Sequence, residues 1–315
     1  MRGGKRVTAF GPATVANVAV GFDALGFCAG CVGDFVTVEA IEEPGVSVDA
    51  VTGSVDGVDS IPLLAASNTA AVGVMGLLRA AESAVGMSVS IRKGIALGSG
   101  MGGSAASSVA AVVAANELLG RPFGRDELLR FAVQGEAVAS GSAHADNAAP
   151  CLFGGFVLVF PETGEAVELP VPEGLAYAIA RPRQRLDTRT ARGVLAKNVA
   201  LTQHVRQSAS FAAFVAALYR ADFELMSRAL SDVVIEPQRK QLIPGFDQVQ
   251  RAAIGSGALG ASISGAGPAI FALAEAERAP TVASAMAEAF ARQGIEFESY
   301  SGLIDRSGAR VVESP

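Results

Sequence analysis

At 315 residues, half of them hydrophobic and none tryptophan, the chain is long enough for about two domains, with interiors filled by Ala, Val, Leu and Phe. A formal net charge of −6 argues against a general nucleic-acid surface, which carries a basic balance, and no apolar run is long and unbroken enough to span a bilayer. Arg2, Lys5 and Arg6 are followed by no compact apolar segment with a cleavage site, so the expectation is a cytoplasmic protein that handles small molecules and binds neither nucleic acid nor membrane.

In chain order, residues 7–10 read as a short strand and 11–26 as a loop punctuated by Gly and Pro. Asn17 and Asp23 are its strongly polar side chains, either turn-makers bonding their own backbone or ligands for something polar. Cys28 and Cys31 form a C-x-x-C, but three positions apart on a strand they point to opposite faces, which favours buried thiols over a metal or a bridge. His144 and His204, far apart in sequence, make a zinc site improbable. Residues 34–41 alternate as a strand and 46–58 continue in hairpin fashion. Asn68 then stands before a helical pattern over 69–84, as its N-cap or as a nucleotide contact, and 89–91 is a strand.

The stretch 98–107, Gly98-Ser99-Gly100-Met101-Gly102-Gly103-Ser104-Ala105-Ala106-Ser107, follows. Its glycines let the backbone turn sharply and approach a ligand closely. Val109, Val112, Val113 and Asn116 carry helical spacing, Gly120 sits where a C-terminal cap belongs, and Pro122 stops the helix. Unpaired N–H groups and the positive end of a dipole therefore meet at the glycines, a ready place for phosphate. Ser104 is placed to cap the helix or to offer its hydroxyl to a metal on that phosphate. Gly98, Gly100 and Gly103 match G-x-G-x-x-G, but so do Gly255, Gly257 and Gly260, so the match alone does not separate phosphate binding from a helix-packing turn. No lysine enters the helix as a Walker loop needs, and 125–140 reads as another helix where a Rossmann unit needs a strand.

Glu136 lies on that second helix among small apolar neighbours and needs a partner, a cation or a salt bridge. Residues 141–150 read as a loop holding His144, Asp146 and Asn147, 152–160 as an apolar strand with a Gly-Gly kink, 161–174 as a linker, and 177–180 as a strand. Arg181, Arg183, Arg185, Arg189 and Arg192 form a solvated face or, at a helix start over 188–192, a clamp for carboxylate or phosphate. Helical patterns cover 196–231, a proline-bounded segment spans 236–246, and 260–274 reads as strand, glycine-rich turn and strand. A helix over 279–293 and strands near 296–301 and 309–312 complete the chain.

Taken together and in order, three motifs resemble those of the galactokinase, homoserine kinase, mevalonate kinase and phosphomevalonate kinase superfamily: residues 12–14 through Asn17 to 21–26, the loop 97–107, and 262–268. Residues 144–147, 188–192 and 236–246 resemble its homoserine-phosphorylating branch. Departures are Ala96 where the pattern has proline, Gly103 where it has serine, and Val15 and Val20 where Ser and Pro are common.

The resemblance implies an α+β, two-domain small-molecule kinase. An ATP-binding N-terminal domain resembling domain 2 of ribosomal protein S5 would span 1–170, and a ferredoxin-like C-terminal domain completing the substrate site would span 171–315. It implies ATP and Mg²⁺ as cofactors, a homodimer, and phosphorylation of the homoserine side-chain hydroxyl in threonine biosynthesis. By the same resemblance Asn68, Leu97, Gly98, Ser99, Gly100, Met101, Gly102, Gly103, Ser104 and Ala105 would hold the nucleotide, and Ser104 and Glu136 the Mg²⁺. Asn17, Asp23, His144, Thr188, Arg192 and Arg239 would hold the substrate. Asn147 would orient the hydroxyl, or Asp146 would take its proton. A kinase of another small alcohol such as mevalonate, or a nucleotide-binding protein without turnover, are the alternatives. Arg192, Arg239 and His144 favour an amino acid over mevalonate, which has no ammonium.

Overall fold

A computed structural model of the protein describes residues 4–140 and 144–313. Strand β1 (Arg6–Ala16) is paired antiparallel to β2 (Leu25–Ile41), and β3 (Val46–Gly53) is followed by helix α1 (Thr69–Ala80) and β4 (Gly86–Lys93). Helices α2 (Gly103–Leu118), α3 (Arg125–Ser140) and α4 (Ala148–Phe153) follow, then β5 (Phe156–Val159) and β6 (Ala166–Leu169).

The glycine- and proline-rich segment 11–26 is mostly strand, not loop, and only 17–24 lies between β1 and β2. Pro12 is tolerated inside β1 because the register shifts between Pro12 and Thr14, so its missing N–H falls at an irregularity of the ladder. Nor does β3 form a hairpin with β2. It pairs parallel to β4, which lies between it and β2, because α1 carries the chain back across the sheet.

Three further segments differ from the sequence expectation. Segment 152–160 begins as the end of α4 and becomes β5 after Gly154 and Gly155, whose φ values of 78° and 60° break the helix. The expected linker contains β6, which pairs antiparallel with β5 over residues 166–169. The expected loop 141–150 lies outside the described residues at 141–143, and its last three residues open α4.

Helix α2 is the axis of this half. Alanine, serine and valine bury it on nearly all sides, against β1 and β2 on one flank and α1 and α3 on the other. Small side chains permit close approach: a Cβ at Gly11 would lie 2.2 Å from the Ala106 carbonyl oxygen, and one at Gly135 2.1 Å from that of Thr69. Asn68 caps α1 by accepting from Ala70 N–H and Ala71 N–H.

The second sheet starts with β7 (Leu175–Pro182). Five helices follow: α5 (Thr188–Gly193), α6 (Leu201–Arg220), α7 (Phe223–Ala229), α8 (Glu236–Arg239) and α9 (Phe246–Gly255). Then come β8 (Gly260–Ile263), β9 (Ile270–Glu275), α10 (Ala279–Ala291), β10 (Phe297–Leu303) and β11 (Arg310–Val312). The strand order β10-β7-β9-β8, antiparallel throughout, is that of a ferredoxin-like unit, while β11 returns to pair with β1 in the first sheet. Alternation divides β7 between two cores: Ala176, Ala178 and Ala180 face α9 and α10, and Tyr177 and Ile179 join the larger core. There Phe27 sits 5.9 Å from both Tyr177 and Phe271, and 5.3 Å from Phe156, ring centre to ring centre. Aromatic packing thus joins the two sheets. No helix among the described residues is long and apolar enough to cross a membrane.

Gly11→Ala is expected to lower stability by about 1–3 kcal/mol, because the added methyl meets a helix backbone that cannot yield. Gly255→Ala, with no atom within 4 Å of the new methyl, serves as control and should leave the urea midpoint nearly unchanged.

Candidate active site

The glycine loop is held from below and from the side by backbone bonds. Thr14 N–H donates to Met101 O (3.2 Å), Leu186 N–H to Gly98 O (3.0 Å) and Ala269 N–H to Ser99 O (3.1 Å), while Ser264 Oγ donates to Gly100 O (2.7 Å). Strand β1, the segment before α5 and the turn between β8 and β9 therefore converge on it. Gly100 (φ 79°) has no room for a Cβ, which would lie 2.5 Å from Ser264 O. Gly102 (φ 68°) is the N-cap of α2 and no side chain caps that helix, so its first N–H groups are left for an external acceptor.

Beneath the loop lies a buried ionic network. The Asp34 carboxylate accepts from Gly94 N–H (3.0 Å), Ile95 N–H (3.1 Å), Ser107 Oγ (2.6 Å) and Lys93 Nζ. Lys93 also donates to Gly103 O (2.7 Å) and Ser107 Oγ (3.0 Å). A lysine from β4 thus supports the loop backbone from beneath, with its three ammonium donors committed to Asp34, Gly103 O and Ser107. At Gly103 an added Cβ would lie 3.1 Å from Ile95 Cγ2 and 3.5 Å from Lys93 Nζ.

Ser104 does not cap the helix. Its hydroxyl donates to Glu136 Oε1 at 2.5 Å. Burial pushes the Glu136 carboxyl up to about 7, with the Ser104 bond and the charge of Lys93 opposing it. Both line a cleft of about 430 Å³ with Asn68, Gly98, Asn147 and Thr188. Met101 and Ala105 are buried behind the loop and do not line it. The Asn68 side chain is committed to backbone: besides its cap, Nδ2 donates to Pro62 O at 2.8 Å.

A second group of polar residues lies beside this cleft. Arg192 Nη1 and Nη2 donate to the two oxygens of Asp23, at 3.0 and 2.6 Å, and His144 Nδ1 lies 3.8 Å from Asp23 Oδ2. Burial lowers the His144 pKa, partly offset by Asp23. Asn17 Nδ2 donates to Gly265 O (2.7 Å) and its Oδ1 accepts from Asp23 N–H (2.9 Å), so Asn17 acts as a turn-maker within its loop and also ties that loop to the turn between β8 and β9. Arg239, 2 % exposed, donates to Ala191 O (3.0 Å) and Gly265 O (3.2 Å). Burial, and then the charge of Arg192, push its pKa down to about 10.

Asn17, Asp23, His144, Arg192 and Arg239 are therefore brought together, while Thr188, one turn earlier on α5, lines the cleft instead. Asn147 lines the cleft too, and Asp146 is buried behind it. Burial and the charges of Asp23 and Glu136 raise the Asp146 carboxyl to about 7, against Arg192. The loop 17–24 carries its polar groups on a strained backbone, with positive φ at Asn17, Val18, Ala19 and Asp23.

Several residues of the site escape a reading of the sequence. Lys93 and Asp34 sit in strands, 59 positions apart, with nothing local to pair them. Phe22 lies under both guanidinium groups, 5.4 Å from Arg192 and 5.0 Å from Arg239, yet reads as an ordinary apolar loop residue. Thr14 donates to Asn147 Oδ1 at 2.9 Å across 133 positions, and only its place in the first motif marks it.

Residues 69–155 match the model described as GHMP kinases N terminal domain, and 214–292 that described as GHMP kinases C terminal. The chain is 45% identical over 312 residues to a homoserine kinase of Xanthomonas campestris, covering 99% of this chain and 95% of that protein. It is 40% identical over 318 residues to a homoserine kinase of Chloroherpeton thalassium, covering 98% and 100%. The crystal structure of homoserine kinase from Cytophaga hutchinsonii has a TM-score of 0.94 to it at 42% identity, covering 98% of this chain and 97% of that one.

The burial of Asp146 and its raised pKa supply a prediction. Below its ordinary value of 3.8 the carboxyl is protonated folded and unfolded, and between there and about 7 the folded protein alone keeps the proton. Its contribution to stability therefore falls as pH rises through that window and is flat above it. Asp146→Asn should thus gain stability over the parent protein, by at most about 4 kcal/mol above pH 7 and by little at pH 4. Urea unfolding of both proteins across that range measures it, and a gain independent of pH would count against the buried charge.

Proposed function

The chain belongs to the homoserine kinases of the GHMP kinase family, and from that membership we propose that it transfers the γ-phosphoryl group of ATP to the side-chain hydroxyl of L-homoserine, giving O-phospho-L-homoserine for threonine biosynthesis. The observation that carries this reading is the placement of charges of both signs, Asp23 with Arg192 and Arg239, beside a glycine-loop cleft, with Asn147 at the cleft wall.

In this reading ATP lies in the cleft with its phosphates on the N–H groups of 102–105, and Asn68 stiffens the wall at the nucleoside end. Ser104 and Glu136 fit Mg²⁺: they are two hard oxygen donors in contact, one on a carboxyl that burial makes costly to ionise without a cation. Among the described residues no group of three or more His, Cys, Asp or Glu is placed to hold a metal, so phosphate oxygens and water would complete the shell. When bound, the ion supplies neutralisation of phosphate charge.

Homoserine, a zwitterion, would replace the internal pair of Asp23 and Arg192 with its own two charges. Its carboxylate goes to Arg192 and Arg239, and its ammonium to Asp23, with Asn17 and His144 beside it. Thr188 lies on the same helix at the cleft. Asn147 orients the hydroxyl toward the phosphate, and a loose transition state needs positioning more than a strong base. Asp146 stands as proton acceptor in a second reading, favoured by its carboxyl lying near 7. An acidic limb in kcat that Asp146→Asn removes separates the two. The family resemblance alone supports a homodimer, and the need for ATP supports a cytoplasmic location.

The direct test is ADP release from Mg-ATP with homoserine, mevalonate and galactose, alongside two homoserine fragments: the hydroxy acid lacking the amino group and the amino alcohol lacking the carboxylate. Homoserine should be the substrate. Each fragment leaves one member of the opened Asp23 and Arg192 pair without a partner, worth about 2–5 kcal/mol, so kcat/KM should fall by about 30-fold or more for both. Turnover of mevalonate at a rate equal to homoserine would reject the assignment.

A further inference from the structure

Asn147 occupies the N-cap position of α4, where an asparagine ordinarily turns its side-chain oxygen onto its own helix, yet it makes no such cap. Its Oδ1 instead accepts the hydroxyl of Thr14, at 2.9 Å. Thr14 is fully buried in β1, next to the irregularity that lets Pro12 into the strand, and a hydroxyl buried there needs an acceptor. The pair is also closed in from the loop side. A Cβ at Gly102 would lie 2.2 Å from Thr14 Oγ1 and 2.8 Å from Asn147 Oδ1, so the glycine at the N-cap of α2 packs its backbone onto this hydrogen bond.

From this geometry we infer that Thr14 is a positioning residue for the phosphoryl transfer: its hydroxyl holds Asn147 Oδ1, so that the amide presents its N–H donors to the cleft. The inference rests on the reading of Asn147 as the group that orients the substrate hydroxyl. An amide left to itself turns either end toward a ligand, because the two ends differ little in shape and each can hydrogen-bond. With Oδ1 held by Thr14, Asn147 meets the attacking oxygen as a donor, which fixes where that oxygen sits and leaves its own proton directed away from Asn147. The Gly102 contact ties the same amide to the loop, since Gly102 cannot shift without disturbing the bond.

Three substitutions separate the hydroxyl from the bulk of Thr14. Thr14→Val keeps the shape and removes the donor, Thr14→Ala removes both, and Thr14→Ser keeps the donor alone. Each is compared by thermal melt and by steady-state kinetics with homoserine and ATP varied separately. Loss of the donor should lower kcat by about 10- to 100-fold in the Val and Ala variants, as expected when a reacting group loses its alignment, with KM for ATP nearly unchanged. Thr14→Ser should restore kcat to within about threefold of the parent. In an Asn147→Ala background, Thr14→Val should cost nothing further, because the positioned group is gone.

If Thr14→Val melts too low to assay, Thr14→Ala set against Thr14→Ser carries the same comparison. Full kcat in the Val or Ala variant, or a Ser variant as impaired as Val, overturns the inference while Asn147→Ala stays impaired. Full activity in Asn147→Ala would instead reject the reading of Asn147 itself, and the role of Thr14 with it.

Discussion

The buried carboxylate of Asp34 is the point on which the cleft depends. It takes hydrogen bonds from two consecutive N–H groups at the end of β4, from Ser107 on the second turn of α2, and from Lys93, whose ammonium also holds Gly103 O. An ion pair so deeply buried gains little over apolar packing unless its remaining donors and acceptors are satisfied, and here they are. What the pair provides is registration of three elements. The sheet, the loop entering the helix and the helix itself are locked at the place where the helix N–H groups point into the cleft. Lys93 acts on the loop through its backbone, at Gly103 O, and its charge is balanced by Asp34.

With that floor fixed, the two sheets cooperate across the seam. The turn between β8 and β9 presses Ser264 and Gly265 against the glycine loop and the 17–24 loop: Gly265 N–H donates to Ala16 O at 3.0 Å, and Gly265 O receives both Asn17 and Arg239. Helix α5 runs from the cleft to the charged cluster, with Thr188 at the cleft and Arg192 at Asp23. Two guanidinium groups are brought close despite like charge. The Phe22 ring beneath both and the Asp23 carboxylate beside one moderate the repulsion. The charged side chains come from distant parts of the chain, so the cluster exists only once both sheets have packed.

Local chemistry made much of this legible from sequence. The bounds of α3, the cap at Asn68, the stop at Gly120 and Pro122, and the strand, turn and strand of 260–274 follow from periodicity and capping, which depend on near neighbours. Legibility ended where pairing is long-range. Nothing in 46–58 says that β4 will intervene between β3 and β2, and the glycine and proline of β1 look like a turn until the irregular register with β2 is known. The residues of the charged cluster are legible through family resemblance. Neither resemblance nor spacing foretold that Asp23 and Arg192 would bond each other, or that Lys93 and Asp34 would lie under the loop.

The proposed function requires phosphates on the N-terminal turn of α2 in the cleft and the amino acid against Asp23, Arg192 and Arg239 beside it, with Asn147 between. A crystal structure with Mg²⁺, a non-hydrolysable ATP analogue and homoserine tests it directly. The account predicts phosphate oxygens on the N–H groups of 102–105, the homoserine carboxylate on the two arginines with the internal bond to Asp23 opened, and the hydroxyl at Asn147. Homoserine bound away from Asp23, or an analogue whose phosphates leave the α2 N-terminus untouched, would contradict it.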